Sequence, residues 1–261
     1  MPPDLLRRFQ ARFLRELFRS PGSGFVLKGG LALNALYGSS RLTMDIDLDF
    51  PPHGERTADS LHAQLRRAIQ TALSGIGIRD ARTSEPRKIE ISPKWKLSGT
   101  APDGSPFNVR IEVSRRPPIP AGPVRQHALR SQLMSGLPVF YVDVYDEPTL
   151  AAMKLAATLS PTRHAPRDVY DLDLLIAHGH RPDMTNLRTL LAARRMPDTD
   201  LAEVLRAKLD ALQWSDFESQ VLPSMEPPEA GRLNAREWEA MKQRVGDAAL
   251  QWLRALEESP T

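Results

Sequence analysis

Two hydrophobic periods succeed one another along the chain. Leu5, Leu6, Phe9, Phe13, Leu17 and Phe18 recur at helical spacing, which predicts an N-terminal helix buried along one side. Arg7, Arg8, Arg12, Arg15 and Arg19 take much of its remaining surface, and Pro21-Gly22-Ser23-Gly24 ends it. Phe25-Val26-Leu27 predicts a short apolar strand. Gly29-Gly30 predicts a tight turn, and Leu31 to Tyr37 two helical turns closed by Gly38. Met44, Ile46, Leu48 and Phe50 then alternate with Asp45, Asp47 and Asp49. At a period of two, the apolar set faces a core and three carboxylates share the opposite face. Leu61, Leu65, Ile69 and Leu73, four apart, predict a helix over residues 57–73.

From Ile76 to Val144 the pattern is that of strands. Ile89 and Ile91, then Trp95 and Leu97, predict one strand or two. Phe107, Val109, Ile111 and Val113 alternate with Asn108, Arg110, Glu112 and Ser114, and Pro102-Asp103-Gly104 marks the hairpin before them. Pro117 to Pro123 reads as a stiff connector, and Val139 to Val144 as a further strand. Beyond Glu147-Pro148 the helical period takes over, with helices predicted over 148–159, 166–179, 184–195, 199–213 and 235–257. Asn234-Ala235-Arg236-Glu237 supplies a capping box for the last. The fold class is therefore α+β, a mixed sheet flanked by helices and followed by an all-α region. The change of period places the boundary near residue 146, giving domains 1–146 and 147–261.

Composition narrows the classes. The 261 residues are 41% apolar, enough for a core, yet no run of about 18 apolar residues would span a membrane. Met1-Pro2-Pro3-Asp4 lacks the pattern of a secretory signal. With no cysteine, disulfides, thiolate metal sites and a cysteine nucleophile are excluded, which does not fix the compartment, and a reducing cytoplasm is the default expectation. The net charge of +3 is unevenly spread. Residues 79–130 carry eleven basic and five acidic side chains, whereas residues 131–261 carry fourteen and twenty. A basic sector suits a polyanionic partner.

Asp45 and Asp47, about 7 Å apart along one strand face, can converge on a hard cation such as Mg²⁺, with Mn²⁺ the alternative. Three acids in a row on one face repel one another and need compensation. Asp49, about 13 Å from Asp45 by the same geometry, reads as a strand-end group. The helix opened by Gly29-Gly30 offers free N–H groups and a positive dipole end to phosphate. Lys28, just before the turn, can reach phosphate or be a plain exposed strand end. Thr43, two before Asp45, can bind phosphate or simply favour a strand. The histidines show no paired metal-ligand spacing, and there is no P-loop.

The glycine turn followed by Asp-x-Asp resembles the opening motif of the DNA polymerase β-type nucleotidyltransferases. The fuller string, Phe25-Val26-Leu27-Lys28-Gly29-Gly30-Leu31-Ala32-Leu33 with Arg41-x-Thr43-x-Asp45-Ile46-Asp47-Leu48, resembles the AbiEii/AbiGii toxin branch, which includes the MenT toxins. The resemblance is strong over 25–50, weaker over 105–115 and moderate over 150–175. It implies a nucleotidyltransferase-type sheet with Glu112 as third carboxylate, binding metal and taking the proton from the attacking hydroxyl; on its residues alone Glu112 is as readily an exposed cross-strand partner for Arg110 or a lysine. It implies that Lys154, in Ala151-Ala152-Met153-Lys154-Leu155-Ala156-Ala157, holds the triphosphate as a point charge. Arg167-Asp168-Val169-Tyr170-Asp171-Leu172 resembles the family's second signature, in which Asp168 orients Lys154 or a metal-bound water. Asp171 and Asp173 read as solvated face residues. Leu31 stands where Thr or Ser is frequent in the family, which removes a hydroxyl near the triphosphate.

The reading that follows is a Mg²⁺-dependent transferase moving NMP from an NTP to an acceptor hydroxyl, implied by the resemblance to be the 3′ end of tRNA. It would be the toxin of a type IV-like toxin–antitoxin pair, with a cognate antitoxin as partner and no membrane attachment. Arg79, Arg82, Arg87, Lys88, Lys94, Lys96, Arg115 and Arg116 would bind the RNA backbone. A metal-dependent nuclease, a non-catalytic binding module of the same fold and transfer to a protein hydroxyl are the rivals. A triphosphate cradle argues against the first, and an intact Asp-x-Asp against the second.

Overall fold

Helix α1 (Pro3–Leu17) begins with proline in its first turn and buries Leu5, Leu6, Phe9, Phe13 and Leu17 of the predicted stripe together with Leu14, while Phe18 is its half-buried C-cap. The computed structural model describes residues 1–20, 22–51, 57–89, 91–116, 124–129, 138–194 and 200–258. The expected connector Pro117–Pro123, together with Pro21 and the expected helix ends at 195 and 199, lies outside the described residues. The chain divides into two compact units, the first ending at Tyr145 and the second taking up the chain from Asp146.

In the first unit α1 is followed by β1 (Val26–Lys28), α2 (Gly29–Tyr37), β2 (Asp45–Asp49), α3 (Ala58–Leu73), β3 (Arg79–Ser84), β4 (Lys94–Thr100), β5 (Pro106–Ser114), β6 (Val124–Leu129) and β7 (Phe140–Tyr145). The seven strands form one mixed sheet in the order β3-β4-β5-β2-β1-β7-β6. β2 pairs parallel with β5 and antiparallel with β1, and β1 pairs parallel with β7. Leu27, Ile46, Leu48, Trp95, Phe107, Ile111, Val113 and Val144 make the sheet's buried face. Phe9 of α1 meets Phe107 edge-on at 5.4 Å, and His62 of α3 meets Trp95 at 5.8 Å. Each side chain of this size, once buried, contributes about 1.5–3 kcal/mol. Thr57 caps α3 by accepting the Ser60 N–H at 3.1 Å.

Local departures from the pattern have local causes. Met44 is 58% exposed, because β2 starts one residue later and Met44 is not in the alternation. Ile91 is likewise exposed, so Trp95 and Leu97 alone anchor a single strand, β4. The pattern names no element for β3, which is exposed at every residue, nor for β6. A register shift between Arg79 and Arg82, with Asp80 at φ +52°, bends β3 at the sheet edge, a device that discourages strand addition there.

The second unit is helical: α4 (Glu147–Thr158), α5 (Pro166–Ala177), α6 (Met184–Ala193), α7 (Leu201–Ala211), α8 (Trp214–Gln220), α9 (Pro227–Ala230) and α10 (Ala235–Glu258). Leu155, Leu172, Leu187, Leu205, Phe217, Trp238 and Val245 sit in its core. Asn234 accepts the N–H groups of Arg236 and Glu237 at 3.0 and 3.1 Å, the Asn234 half of the expected capping box at the start of α10. The short α8 and α9 are not anticipated by the period. No described helix is long and apolar enough to cross a membrane.

Candidate active site

β1 ends at Lys28 and the chain turns at Gly29, whose φ of +70° is natural only for glycine. A Cβ built there would stand 2.3 Å from Asp47 Oδ2, so the backbone lies directly against that carboxylate. A Cβ on Gly30 would stand 2.5 Å from an Nη of Arg41. Arg41 is buried at the opening of α2, where no side chain caps the first N–H groups. It belongs to the Arg-x-Thr-x-Asp string but receives no role from the sequence. A charged residue buried beside a glycine turn becomes visible only when the loop is folded back.

Strand register assembles the rest. Lys28 stands opposite Asp47, Asp47 opposite Glu112, and Glu112 opposite Lys94, a row across β1, β2, β5 and β4. The next row holds Asp45, Arg110 and Lys96. Registered partners share a face, so Asp45, Asp47 and Glu112 lie together, Asp47 and Glu112 about 5 Å apart in backbone. Arg110 donates to Asp45 Oδ2 at 2.5 Å, and Lys94 Nζ lies 3.0 Å from Glu112 Oε2. The hydrogen bond to Asp45, with the charges of Asp45, Glu112 and Asp47, holds the Arg110 guanidinium above its ordinary pKa. Of the three aligned acids, Asp45 is therefore compensated by Arg110 of β5 and Asp49 by Lys28 of β1, while Lys94 of β4 compensates Glu112. Asp49 is tied back by Lys28 and by the Tyr145 hydroxyl at 2.7 Å, which leaves it a bracing part. Burial, and then Asp49, push the Tyr145 phenol well above its usual pKa.

Thr43 precedes β2 rather than lying on its face. Its hydroxyl is engaged with the backbone of Asp45 at 3.2 Å, and its carbonyl accepts from Gln10 at 2.5 Å. The basic sector divides. Arg79, Arg82, Lys94 and Lys96 share the carboxylate face by register. Arg87, Lys88 and Arg116 are exposed beyond the strands, and Arg115 is half-buried. A cavity of about 320 Å³ in this unit, lined by Arg15, Phe18, Arg19, Gln126, Phe140 and Tyr141, contains none of these carboxylates.

In the second unit Lys154 is buried rather than reaching for water. Its Nζ lies 2.5 Å from Asp171 and 3.3 Å from Asp168. Asp168 also accepts from Arg163, at 3.1 Å through Nη2. Asp171 is wholly buried, which corrects its reading as a solvated face residue: the Lys154 charge on a neighbouring helix makes the burial tolerable. Asp173 is closer to that reading but forms a two-pronged pair with Arg244 of α10 at 2.8 and 2.9 Å.

Among the described residues no three His, Cys, Asp or Glu side chains form a self-sufficient metal cage. Mg²⁺ takes one or two carboxylates and completes its shell with water and substrate phosphate. All-oxygen donors in register, with bare glycine backbone against one of them, fit such a cation together with a polyphosphate.

The sequence matches the family described as nucleotidyl transferase AbiEii toxin, type IV toxin–antitoxin system, over residues 12–257. Among solved structures, a nucleotidyltransferase candidate from H. pylori is 19% identical with a TM-score of 0.58, covering 98% of this chain and 96% of that one. JHP933 from Helicobacter pylori is 19% identical with a TM-score of 0.52, covering 96% of each chain. MenT4, a nucleotidyltransferase toxin from Mycobacterium tuberculosis H37Rv, is 18% identical with a TM-score of 0.55, covering 97% of this chain and 91% of that one. At such identities the likeness is one of fold. No curated protein matches the chain.

Proposed function

The chain belongs to the AbiEii family of nucleotidyl transferase toxins of type IV toxin–antitoxin systems, and on that premise we propose that it transfers NMP from an NTP to the 3′ end of tRNA. The observation that carries this reading is the register of Asp47 against Glu112 with Gly29 packed on the Asp47 carboxylate. Asp45, Asp47 and Glu112 would hold Mg²⁺, or Mn²⁺ in its place. Bound there, the cations supply Lewis-acid activation of the α-phosphorus and of the attacking and leaving oxygens. The N-terminus of α2 and Lys28 receive the triphosphate. A Glu112 carboxylate oxygen would accept the proton of the 3′ hydroxyl as its oxygen bonds to the α-phosphorus, and the bond from the α-phosphorus to the bridging α–β oxygen breaks to release pyrophosphate.

Residues 1–146 form the catalytic domain in this reading, and residues 147–261 a helical domain that carries the Lys154 ammonium. Asp168 and Asp171 fix the direction of that ammonium, and Arg163 holds Asp168. Arg79, Arg82 and Lys96 form a basic track on the carboxylate face along which RNA phosphates approach, with Arg87, Lys88, Arg115 and Arg116 beside it. A pyrimidine NTP is the first candidate donor, the cytoplasm the place of action, and a cognate antitoxin the partner that family membership implies.

The test is incubation of the purified protein with total tRNA, Mg²⁺ and each labelled NTP in turn, read on a denaturing gel. Lengthening by one or a few nucleotides with a preferred NTP is the expected result. Shortened tRNA would identify a nuclease, label on protein a protein nucleotidylase, and no incorporation into either a binding module. Expression in a growing bacterium is expected to arrest growth, and Asp47→Asn to relieve the arrest.

A further inference from the structure

Arg110 and Lys94 are each paired with a proposed metal ligand, yet neither can stay as it is when cations arrive. Arg110 holds Asp45 at 2.5 Å and Lys94 holds Glu112 at 3.0 Å, in adjacent rows of the same sheet face. Their side chains are 44% and 47% exposed, so neither is locked by packing, and ion pairs this open are weakly held. Without metal, these cations offset carboxylates that would otherwise repel one another. Divalent cations on the same oxygens bring larger charges to the same few ångströms, and the site turns from balanced to strongly positive. The side chains must then swing away from the carboxylates, and the nearest anion the reaction supplies is the nucleotide's triphosphate. A guanidinium fork fits phosphate oxygens as well as it fits a carboxylate, and an ammonium serves as a point charge.

We propose that Arg110 and Lys94 are triphosphate-binding side chains that exchange partners, pairing with Asp45 and Glu112 in the metal-free protein and with phosphate oxygens once metal is bound. The inference rests on the metal reading of the site given above. It has a consequence that a purely structural role lacks: removing either charge acts in opposite directions on the two ligands. The cation no longer competes with metal for the carboxylate, so metal binds more tightly without nucleotide. The phosphate loses a contact, so nucleotide binds more weakly with metal.

The experiment uses the full chain, with Mn²⁺ as probe in electron paramagnetic resonance and calorimetry. It compares wild type, Arg110→Gln, Lys94→Gln and Arg110→Lys. Mn²⁺ affinity is measured alone; a non-hydrolysable NTP analogue is then titrated with Mn²⁺ present, and tRNA is titrated separately. Arg110→Gln is expected to tighten Mn²⁺ severalfold and to weaken the analogue about tenfold, with tRNA affinity little changed. Lys94→Gln should follow in the same directions, and Arg110→Lys should lie between. Unchanged or weakened Mn²⁺ binding in both glutamine variants overturns the proposal, as does unchanged analogue binding, or a loss confined to tRNA. If wild type binds no Mn²⁺ with or without the analogue, the metal reading fails as well. If wild type binds it and Asp47→Asn abolishes that binding, only the exchange stands or falls with the glutamine variants.

Discussion

Asp47 and Glu112 stand directly opposite one another on neighbouring parallel strands, 65 positions apart in sequence and in one register pair of the sheet. Two carboxylates so placed repel unless something positive lies between or beside them. Lys28 and Lys94 flank the pair in the same row.

Replacing either carboxylate by its amide tests what the pair is for. Asp47→Asn and Glu112→Gln should each lower nucleotide transfer by about a hundredfold or more. Melting temperature should hold or rise as repulsion is relieved. Asp45→Asn should be equally inactive, at a cost within about 1 kcal/mol, because its Arg110 partner is half exposed. Turnover assays beside thermal melts decide this, and activity retained in all three variants would remove the metal assignment.

Gly29→Ala combines two penalties at one atom. The backbone is left-handed there, and the new methyl would fall 2.3 Å from Asp47 Oδ2. A stability loss of about 1–3 kcal/mol is expected, with activity falling further than stability explains because Asp47 must move. Chemical denaturation alongside kinetics measures both. Gly38→Ala is the control, since its Cβ meets nothing within 4 Å although its φ is also positive.

Lys154 has a structural role apart from any role toward nucleotide. Lys154→Met removes the ammonium 2.5 Å from the buried Asp171 and should cost roughly 3 kcal/mol or more. Adding Asp171→Asn should restore much of that stability without restoring NTP use. A double variant that recovers activity along with its melting temperature would show that Lys154 serves the fold alone.

Tyr145 gives a dependence on pH with a definite sign. Its folded phenol has a raised pKa, through burial first and the Asp49 charge second. The unfolded phenol ionises near its ordinary value of about 10. The stabilisation is therefore complete below pH about 10 and declines as pH rises above it. Tyr145→Phe should lower stability at neutral pH by about 1 kcal/mol, with a shallower alkaline decline. Denaturation midpoints taken between pH 7 and 11 report both.

The glycine turn and the Asp-x-Asp strand were legible because their signals are local: a period of two, a spacing of fifteen residues, a left-handed position before a helix. Buried strands such as β5 were legible for the same reason, since alternation records two different faces. β3 has no dry face, so nothing in Arg79–Ser84 alternates, and its existence depends on pairing with β4. Lys94 read as an RNA-facing charge, although it meets Glu112 across the β4–β5 hairpin, and Arg110 meets Asp45 rather than Glu112 because that pairing depends on register between strands 65 positions apart in sequence. Asp171 was misread for a related reason. A lone acid on an amphipathic helix looks wet until a lysine from another helix turns out to cover it.

The hold on Asp49 has a consequence for how the protein reaches its working state. A five-residue strand is short enough to slide, and a shift of one place would turn Ile46 and Leu48 to the reactive face and drive Asp45 and Asp47 inward. Asp49 meets both Lys28 and Tyr145 only in the observed alignment. A slipped chain would leave a buried carboxylate and a buried phenol without the partners that permit their burial, and a half-buried lysine without its ion pair. The acid with no assigned chemistry thus acts as an alignment key, rejecting the misthreaded sheet in which the other two would be silent.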